Sequence, residues 1–437
     1  MSTTSTTKTT WRNWSGSVRC TPQRLAAPTS TAGVAQVLAD AARDGLTVRP
    51  VGSGHSFTPL CATDGVQVRL DGMARLLGHT PDGRVRVQAG MSLRTLNREL
   101  DRLGLALPNL GDVDPQTVAG AIGTGTHGTG DRLHGIAKAV VAVQLVTASG
   151  DVVEVDEQHP WFGAVRVSLG ALGIVTEVTL QCVPAFLLHA REEPMPLPEV
   201  LERLPELVGG NDHCEFYWFP HTEKALLKRN NRVPAGTEPA PIGRIRSLVD
   251  DELLSNGAFE VLNRVAHARP SLVPRINAFS GSALSAREFV APSHEVFVSR
   301  RRVRFHESEF AMPRAALPEV IGALQRWFAT SGEHVSFPIE VRFTAADDVW
   351  LSTAHERESC YVAVHTYHRQ DPSAYFAAAQ EVFVAHDGRP HWGKRHTLDA
   401  AYLSRAYSRF GDVLAIRDEA DPRRLLANDH LTQVLGG

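Results

Sequence analysis

Arg49-Pro-Val-Gly-Ser-Gly-His-Ser-Phe57 is the stretch on which the reading of this chain turns. A short strand over residues 46–49 leads into it. Pro50, with no N–H to give a ladder, is expected to end that strand. Gly52 and Gly54 bracket Ser53, and two glycines so close let the backbone take positive φ and approach a ligand with no Cβ in the way. Consecutive N–H groups in such a turn form a concave anion site suited to phosphate, and His55 sets an imidazole at its edge. A plain strand-ending surface turn would use the same residues. A second loop shifts the balance.

That loop spans residues 109–130, NLGDVDPQTVAGAIGTGTHGTG, with six glycines and four threonines in 22 positions. Its Gly123-Thr-Gly-Thr-His-Gly128 matches the dinucleotide string G-x-G-x-x-G. No β-branched strand runs into the first glycine, and residues 131–135 open no amphipathic helix, so the Rossmann reading is rejected. A long coil of N–H and threonine hydroxyl donors lying along a diphosphate fits better. A mobile surface loop is the alternative, but connections this long in a compact domain usually serve a function.

Outward from these loops, 437 residues predict two or three domains. A net charge of −3 with both signs scattered argues against a nucleic-acid or membrane-surface protein. Five distant cysteines without C-x-x-C suggest neither zinc nor a disulfide framework, and no metal site is expected. The Ser/Thr-rich first ten residues are expected to be disordered, and with no apolar leader or 18-residue apolar run the chain reads as cytoplasmic. Residues 11–21 suggest a strand. Thr31 is read as the cap of a helix with Val34, Val37, Leu38 and Ala41 on one face and Gly45 beyond its end. Strands follow at 66–70 and 84–88, and Ser92 caps a helix striped by Leu93, Leu96, Leu100 and Leu103. Residues 140–147 and 152–155 form a hairpin, a glycine-spaced turn at 169–173 feeds a strand, and Pro184 closes the region. The pattern is α+β.

From 184 to about 390, residues 215–219 and 225–228 pair as strands, 317–328 is helical, and 335–343 and 360–367 alternate as strands. Residues 230–300 have no clear period and are expected to include loops wrapping the surface. An antiparallel sheet with helices on one face is expected. Period two puts Glu340 and Arg342 on one strand face, with Ile339, Val341 and Phe343 on the other. A surface ion pair would look the same, but that polar face must meet either water or a ligand. His365 shares a face with Tyr367, and Lys394 follows the tight turn His391-Trp-Gly.

RPVGSGHSF, TVAGAIGTGTHGTG and LGALGIVTEVTL, in that order, resemble the FAD-binding domain of the vanillyl-alcohol oxidase superfamily. Pro390-His-Trp-Gly-Lys394 and Asp421-Pro … Asn428-Asp-His-Leu431 resemble its sugar-1,4-lactone oxidase and alditol oxidase branch. The resemblance implies a two-subdomain PCMH-type FAD-binding domain over 1–183, a substrate (cap) domain over 184–389 and a segment 390–437 returning to the first. It implies FAD joined covalently to His55. Pro50, Val51, Gly52, Ser53, Gly54 and Ser56 would cradle it, with Gly111, Asp112, Val118, Gly120, Gly123, Thr124, Thr126 and His127 opposite, Gly173 and Ile174 at the adenine half, and His391 and Lys394 nearer the ring.

Glu340, Arg342, His365, Lys394 and Asp112 would form the substrate side. Arg342 and Lys394 would stabilise negative charge on the reduced flavin, and His365, with Glu340 nearby, would take the hydroxyl proton. Asp112 stands where alditol oxidases have serine, and Tyr367 where they have threonine. Both favour an L-gulono-1,4-lactone-like substrate over a polyol such as xylitol or sorbitol. Gly111 would leave room for O2 beside the flavin, so an oxidase yielding H2O2 is preferred to a dehydrogenase using another acceptor. A flavin-binding protein without turnover is the reading outside this class. The substrate's stereochemistry and the oligomeric state are left open.

Overall fold

The computed structural model describes residues 10–242, 257–299 and 301–437, and the strand Thr4–Ser5. The expected disorder of the first ten residues therefore falls almost wholly outside the described residues.

The strand before the first glycine loop is Val48–Val51, so Pro50 lies inside it rather than ending it. It is the edge of a four-stranded sheet, paired on one side only, in parallel, with Val66–Arg69. An edge position needs no N–H from Pro50 on its open side, which is why proline is tolerated there. The helix Thr31–Arg43 packs Val34, Leu38 and Ala41 inward, and its cap is Ser30, whose hydroxyl accepts from Gly33 N–H at 3.1 Å. Thr31 is instead its first residue. Residues 11–21 form not one strand but a small hairpin, Trp11–Arg12 against Arg19–Cys20, with Gly16 at φ 78° in the turn.

A five-stranded antiparallel sheet follows, in the order Val152–Asp156, Val140–Val146, Ile174–Gln181, Arg84–Gln88, Leu76–His79. The helix Leu93–Arg102, capped by Ser92, buries Leu93, Leu96 and Leu100. The second glycine loop is not all coil. Val118–Gly123 is a helix whose cap, Thr117, accepts from Gly120 N–H at 3.1 Å. Six residues with two glycines have no helical tendency of their own; burial of Val118, Ala121 and Ile122 supplies it. This helix precedes the G-x-G-x-x-G string, the reverse of the Rossmann order.

The largest sheet has eight strands, all antiparallel, in the order Arg287–Pro292, Leu187–Pro196, Lys224–Arg232, His213–Trp218, Ile339–Thr344, Ser359–Tyr367, Phe305–Pro313, Arg389–Pro390. Period two divides its faces. Phe216, Trp218, Phe310, Met312, Ile339, Val341, Phe343, Val362 and Val364 pack against the helices Leu317–Thr330 and Ser373–Val384. The opposite face carries Glu215, Tyr217, Glu307, Glu309, Glu340, Arg342 and His365.

The described part of 230–300 is not all loop, although 233–242 is irregular. It holds the helices Phe259–Ala268 and Val273–Ala283 and the strand Arg287–Pro292, while 243–256 lie outside the described residues. Val261 (59% exposed) and Phe279 (65%) face outward while Asn263 and Asn277 are buried, which scrambles the apolar period. After the eighth strand the chain returns to the N-terminal core, where Tyr407, Phe410, Val413 and Leu431 join the cluster of Leu93 and Leu96. Asn428 Nδ2 donates to the carbonyls of Pro59, Leu60 and Ala62 at 2.9–3.2 Å. All five cysteines are free, and among the described residues no helix is long and apolar enough to cross a membrane.

Candidate active site

Arg49 organises the back of the first loop. Its guanidinium is 1% exposed and donates to the carbonyls of Leu60 (2.8 Å), Leu169 (2.7 Å), Gly170 (3.0 Å) and Leu426 (2.5 Å). Burial lowers its pKa to about 10, still charged at neutral pH. It thereby ties the start of the loop to the 169–173 turn, where Leu169 (φ 56°) and Gly170 (φ 64°) both lie in the left-handed region.

In front of Arg49 runs a groove between the glycine loops. Pro50, Val51, Gly52, Ser53, Gly54, His55 and Ser56 line it from one side, Gly120, Gly123 and Thr124 from another, and Gly173 and Ile174 at a third. The two loops touch. A Cβ on Gly52 would collide with Thr117 Oγ1, so only glycine permits this approach. Gln116 also lines the groove, and its buried Oε1 has no partner. An elongated cradle with glycine walls, an apolar end (Leu70, Ala89, Val175) and an orphan polar atom fits an FAD molecule. His55 stacks on Trp14, with ring centroids 5.6 Å apart and planes 21° apart. Burial, then the charge of Lys394, lowers its pKa to about 4, so the imidazole is neutral at pH 7.

Some expected cofactor residues point elsewhere. Val118 is fully buried in the N-terminal core, and its N–H is spent on Met91 O. Thr126 Oγ1 accepts from Gln116 at 3.3 Å. His127, expected along the diphosphate, is 5% exposed, stacks on Tyr361 (3.6 Å between centroids), donates from Nδ1 to Gly128 O and has Nε2 3.3 Å from Glu309. Gly111 is enclosed rather than spacious: a Cβ there would lie 3.1 Å from His127 O and 3.2 Å from Thr126 Cγ2. Packing within the loop thus accounts for this glycine without reference to O2.

The large sheet and the turn after its last strand meet these loops directly, and Glu309 of the polar face reaches His127. Gly130 N–H donates to Phe343 O at 2.8 Å, and Phe57 N–H donates to Gly393 O at 2.7 Å. Arg342 pairs with Glu340, reaches Glu215 at 2.9 Å and lies 3.6 Å from Asp112. Arg301 holds Asp112 through Nε (3.1 Å) and Nη2 (2.6 Å), and Tyr217 OH donates to Glu340 at 3.1 Å. Burial raises the Glu340 pKa against the pull of Arg342. Burial also works against the Asp112 carboxylate, but Arg301 and Arg342 outweigh it and hold the pKa far below the usual range.

Beside this cluster lies a second. Lys394 pairs with Glu307, and His365 has Nε2 3.4 Å from Glu307 and Nδ1 3.2 Å from Pro338 O. The carboxylate beside His365 is therefore Glu307, not Glu340 as expected. Glu340 sits one strand away, opposite Ala363, and is engaged by Arg342 and Tyr217. Burial disfavours the Glu307 anion, yet Lys394 and His365 bring its pKa down to about 2. Lys394 is raised in return: burial opposes its charge, but Glu307 and Glu309 prevail. His391 lies with His127 and Glu309 in one buried group. Its Nδ1 accepts Gly393 N–H at 3.0 Å.

Glu307, Glu309, Arg301, Glu215, Tyr217 and Trp14 were not singled out from sequence. The first two had a legible signal, Phe305-x-Glu-x-Glu309 followed by Phe310 and Met312, a strand with acids on one face. The others become visible only when distant segments meet.

The comparisons agree with this geometry. Residues 178–434 match the family profile described as D-arabinono-1,4-lactone oxidase, and residues 22–156 match one described as FAD binding domain. The L-gulono-1,4-lactone dehydrogenase of Mycobacterium tuberculosis is 42% identical over 431 residues, covering 98% of this chain and 99% of that protein. The L-gulonolactone oxidase of Scyliorhinus torazame is 34% identical, covering 96% and 97%. In fold, the cholesterol oxidase of B. sterolicum superimposes with a TM-score of 0.83 at 17% identity, over 98% of this chain and 96% of that one. With glycine-walled groove, buried polar sheet face and whole-length relatives in accord, the chain belongs to the D-arabinono-1,4-lactone oxidase family, in the vanillyl-alcohol oxidase (PCMH-type) superfamily, and is an FAD-dependent oxidoreductase.

Proposed function

We propose that this enzyme oxidises a carbinol carbon of a sugar-1,4-lactone of the L-gulono-1,4-lactone kind, with FAD held covalently on His55 and O2 as the final acceptor, giving H2O2. Residues 1–183 would hold the cofactor, 184–389 the substrate, and 390–437 would tie the two together. FAD, when bound, supplies the hydride acceptor and passes the electrons on. The carrying observation is that Glu340, Arg342 and His365 share one sheet face, and that Lys394, from the turn bonded to the first glycine loop, pairs with Glu307 on that same face.

In this reading Arg342 and Lys394 supply fixed positive charge where negative charge develops, in a site already shielded from water, where such charge acts most strongly. Glu340, held between Arg342 and Tyr217 with its pKa raised by burial, hydrogen-bonds to substrate. His365 moves the hydroxyl proton toward Glu307, the carboxylate beside it. Asp112, fastened by Arg301, accepts from sugar hydroxyls while the guanidinium edges donate to a lactone carbonyl. An open-chain polyol offers those edges only hydroxyls, which favours the lactone over an alditol. His55, neutral and flanked by Trp14, has the nucleophilic form a covalent link requires.

A second reading keeps the lactone and changes the acceptor to a quinone or cytochrome. It is favoured by the 42%-identical relative, which is a dehydrogenase, and by Gly111, whose packing removes one argument for O2. Anaerobic mixing with L-gulono-1,4-lactone should bleach the flavin, and xylitol should do so at least tenfold more slowly. Admission of air then separates the acceptors: return of colour within one turnover supports the oxidase. Bleaching by xylitol but not by any aldonolactone would overturn the substrate assignment.

A further inference from the structure

The strand Phe305–Pro313, whose Glu307 stands beside His365, also grips the turn bearing Lys394 by main chain and side chain alike. Glu309 O accepts from His391 N–H at 2.9 Å and Glu307 O from Arg395 N–H at 3.0 Å. The Glu307 carboxylate pairs with Lys394 and lies 3.4 Å from His365, while Glu309 lies 3.3 Å from His127 of the second glycine loop. Both acids are nearly inaccessible, at 6% and 5% exposure. Lys394 also sits over the ring of Phe57, 5.3 Å from its centroid, so its ammonium is fixed between the first loop and this strand. In so enclosed a place a unit charge is felt several-fold more strongly than in water, and a lysine cancelled by a carboxylate is electrostatically a different object from a bare one.

We infer that Glu307 is a positioning and charge-setting residue: it holds Lys394 and His365 in place and, by neutralising the lysine, sets the flavin reduction potential well below the value Lys394 alone would impose. This rests on the reading that Lys394 acts on the bound flavin. Glu307 balances cation against anion at that end of the site, so that hydride acceptance is not driven so far that reoxidation becomes unfavourable.

The test uses the FAD-loaded enzyme and reads two properties other than turnover, the two-electron midpoint potential and the dissociation constant of the flavin–sulfite adduct. Glu307→Gln should raise the potential by at least the equivalent of a tenfold change in the reduction equilibrium, about 30 mV for two electrons, and sulfite should bind correspondingly tighter. Glu307→Asp keeps the charge and should stay within threefold of wild type. Lys394→Met should shift both readings the opposite way, and the double variant, with both charges removed, should return close to wild type. If Glu307→Gln does not retain FAD, the double variant decides, because it buries no unpaired charge. A double variant as low in potential as Lys394→Met alone would overturn the inference, as would an unmoved Glu307→Gln, and either would leave the lysine's role standing. An unmoved Lys394→Met would instead remove the reading of Lys394 itself, and this inference with it.

Discussion

Replacing Arg49 with methionine isolates the contribution of one buried cation to the architecture of the cofactor groove. The guanidinium satisfies four main-chain carbonyls, from Leu60, Leu169, Gly170 and Leu426. Each buried carbonyl left without a donor costs about 1–3 kcal/mol, so the loss is about 8 kcal/mol if none is re-satisfied. Against this stands relief of the charge. Depression of its pKa from 12.5 to about 10 corresponds to roughly 3 kcal/mol by which folding disfavours the cation. The net expectation for Arg49→Met is a destabilisation of about 3–5 kcal/mol, a large share of the 5–15 kcal/mol that holds most domains folded. Urea unfolding followed by tryptophan fluorescence measures it, and the flavin-to-protein absorbance ratio reports whether the groove survives. Leu169 and Gly170 should leave their left-handed conformations first, opening the groove beside Pro50 and lowering FAD occupancy even in protein that remains folded. Arg49→Lys, a compact ammonium with three donors, should recover only part of the loss. A stability for Arg49→Met within 1 kcal/mol of wild type, with full flavin, would show that water replaces the guanidinium and would refute the reasoning.

Acid precipitation should carry yellow colour into the pellet of the wild-type enzyme and leave it in the supernatant for His55→Ala; a colourless wild-type pellet would remove the covalent link. Gly52→Ala forces its Cβ onto Thr117 Oγ1, which caps the helix Val118–Gly123, so it should cost at least about 1 kcal/mol and lower FAD occupancy several-fold, read as the absorbance ratio after gel filtration. His213, His391 and His430 are buried and their folded pKa values lie at about 4, 3 and 4, against 6.5 when unfolded. The unfolded chain therefore binds more protons below pH 6.5, so stability falls as pH drops through 6.5 toward 4, by about 2 kcal/mol for each such histidine at pH 5. His430→Asn should flatten that slope by about one proton in a series of unfolding curves between pH 7 and 5; an unchanged slope would contradict the buried-neutral assignment.

The legible part of this protein followed two local rules. Glycine at close intervals marks backbone that must bend or approach something, which located both groove-forming loops and the 169–173 turn. Alternation in Val335–Phe343 and Cys360–Tyr367 tells which side chains share a face, which puts Glu340 with Arg342 on a polar side and His365 with Tyr367. The same rules failed where local signal and burial disagree. The helix Val118–Gly123 is held by its surroundings against its own propensity, and the helices Phe259–Ala268 and Val273–Ala283 expose valine and phenylalanine while burying asparagine. Pro50 has no N–H to give, which predicts a strand end, yet at the sheet edge that N–H is not needed and the strand runs on to Val51.

Residue order by itself determined the composition of each loop and the face of each strand, because both depend on the next few residues and on the alternation of Cβ atoms. Which charges would meet was decided only by the tertiary structure. Glu307 faces His365 through the register of two antiparallel strands, and Arg301 reaches Asp112 across 189 positions of chain. Burial then turned those meetings into chemistry: out of water, Asp112 and Glu307 stay ionised because cations stand against them, whereas at Glu340 burial outweighs its partners and raises the pKa.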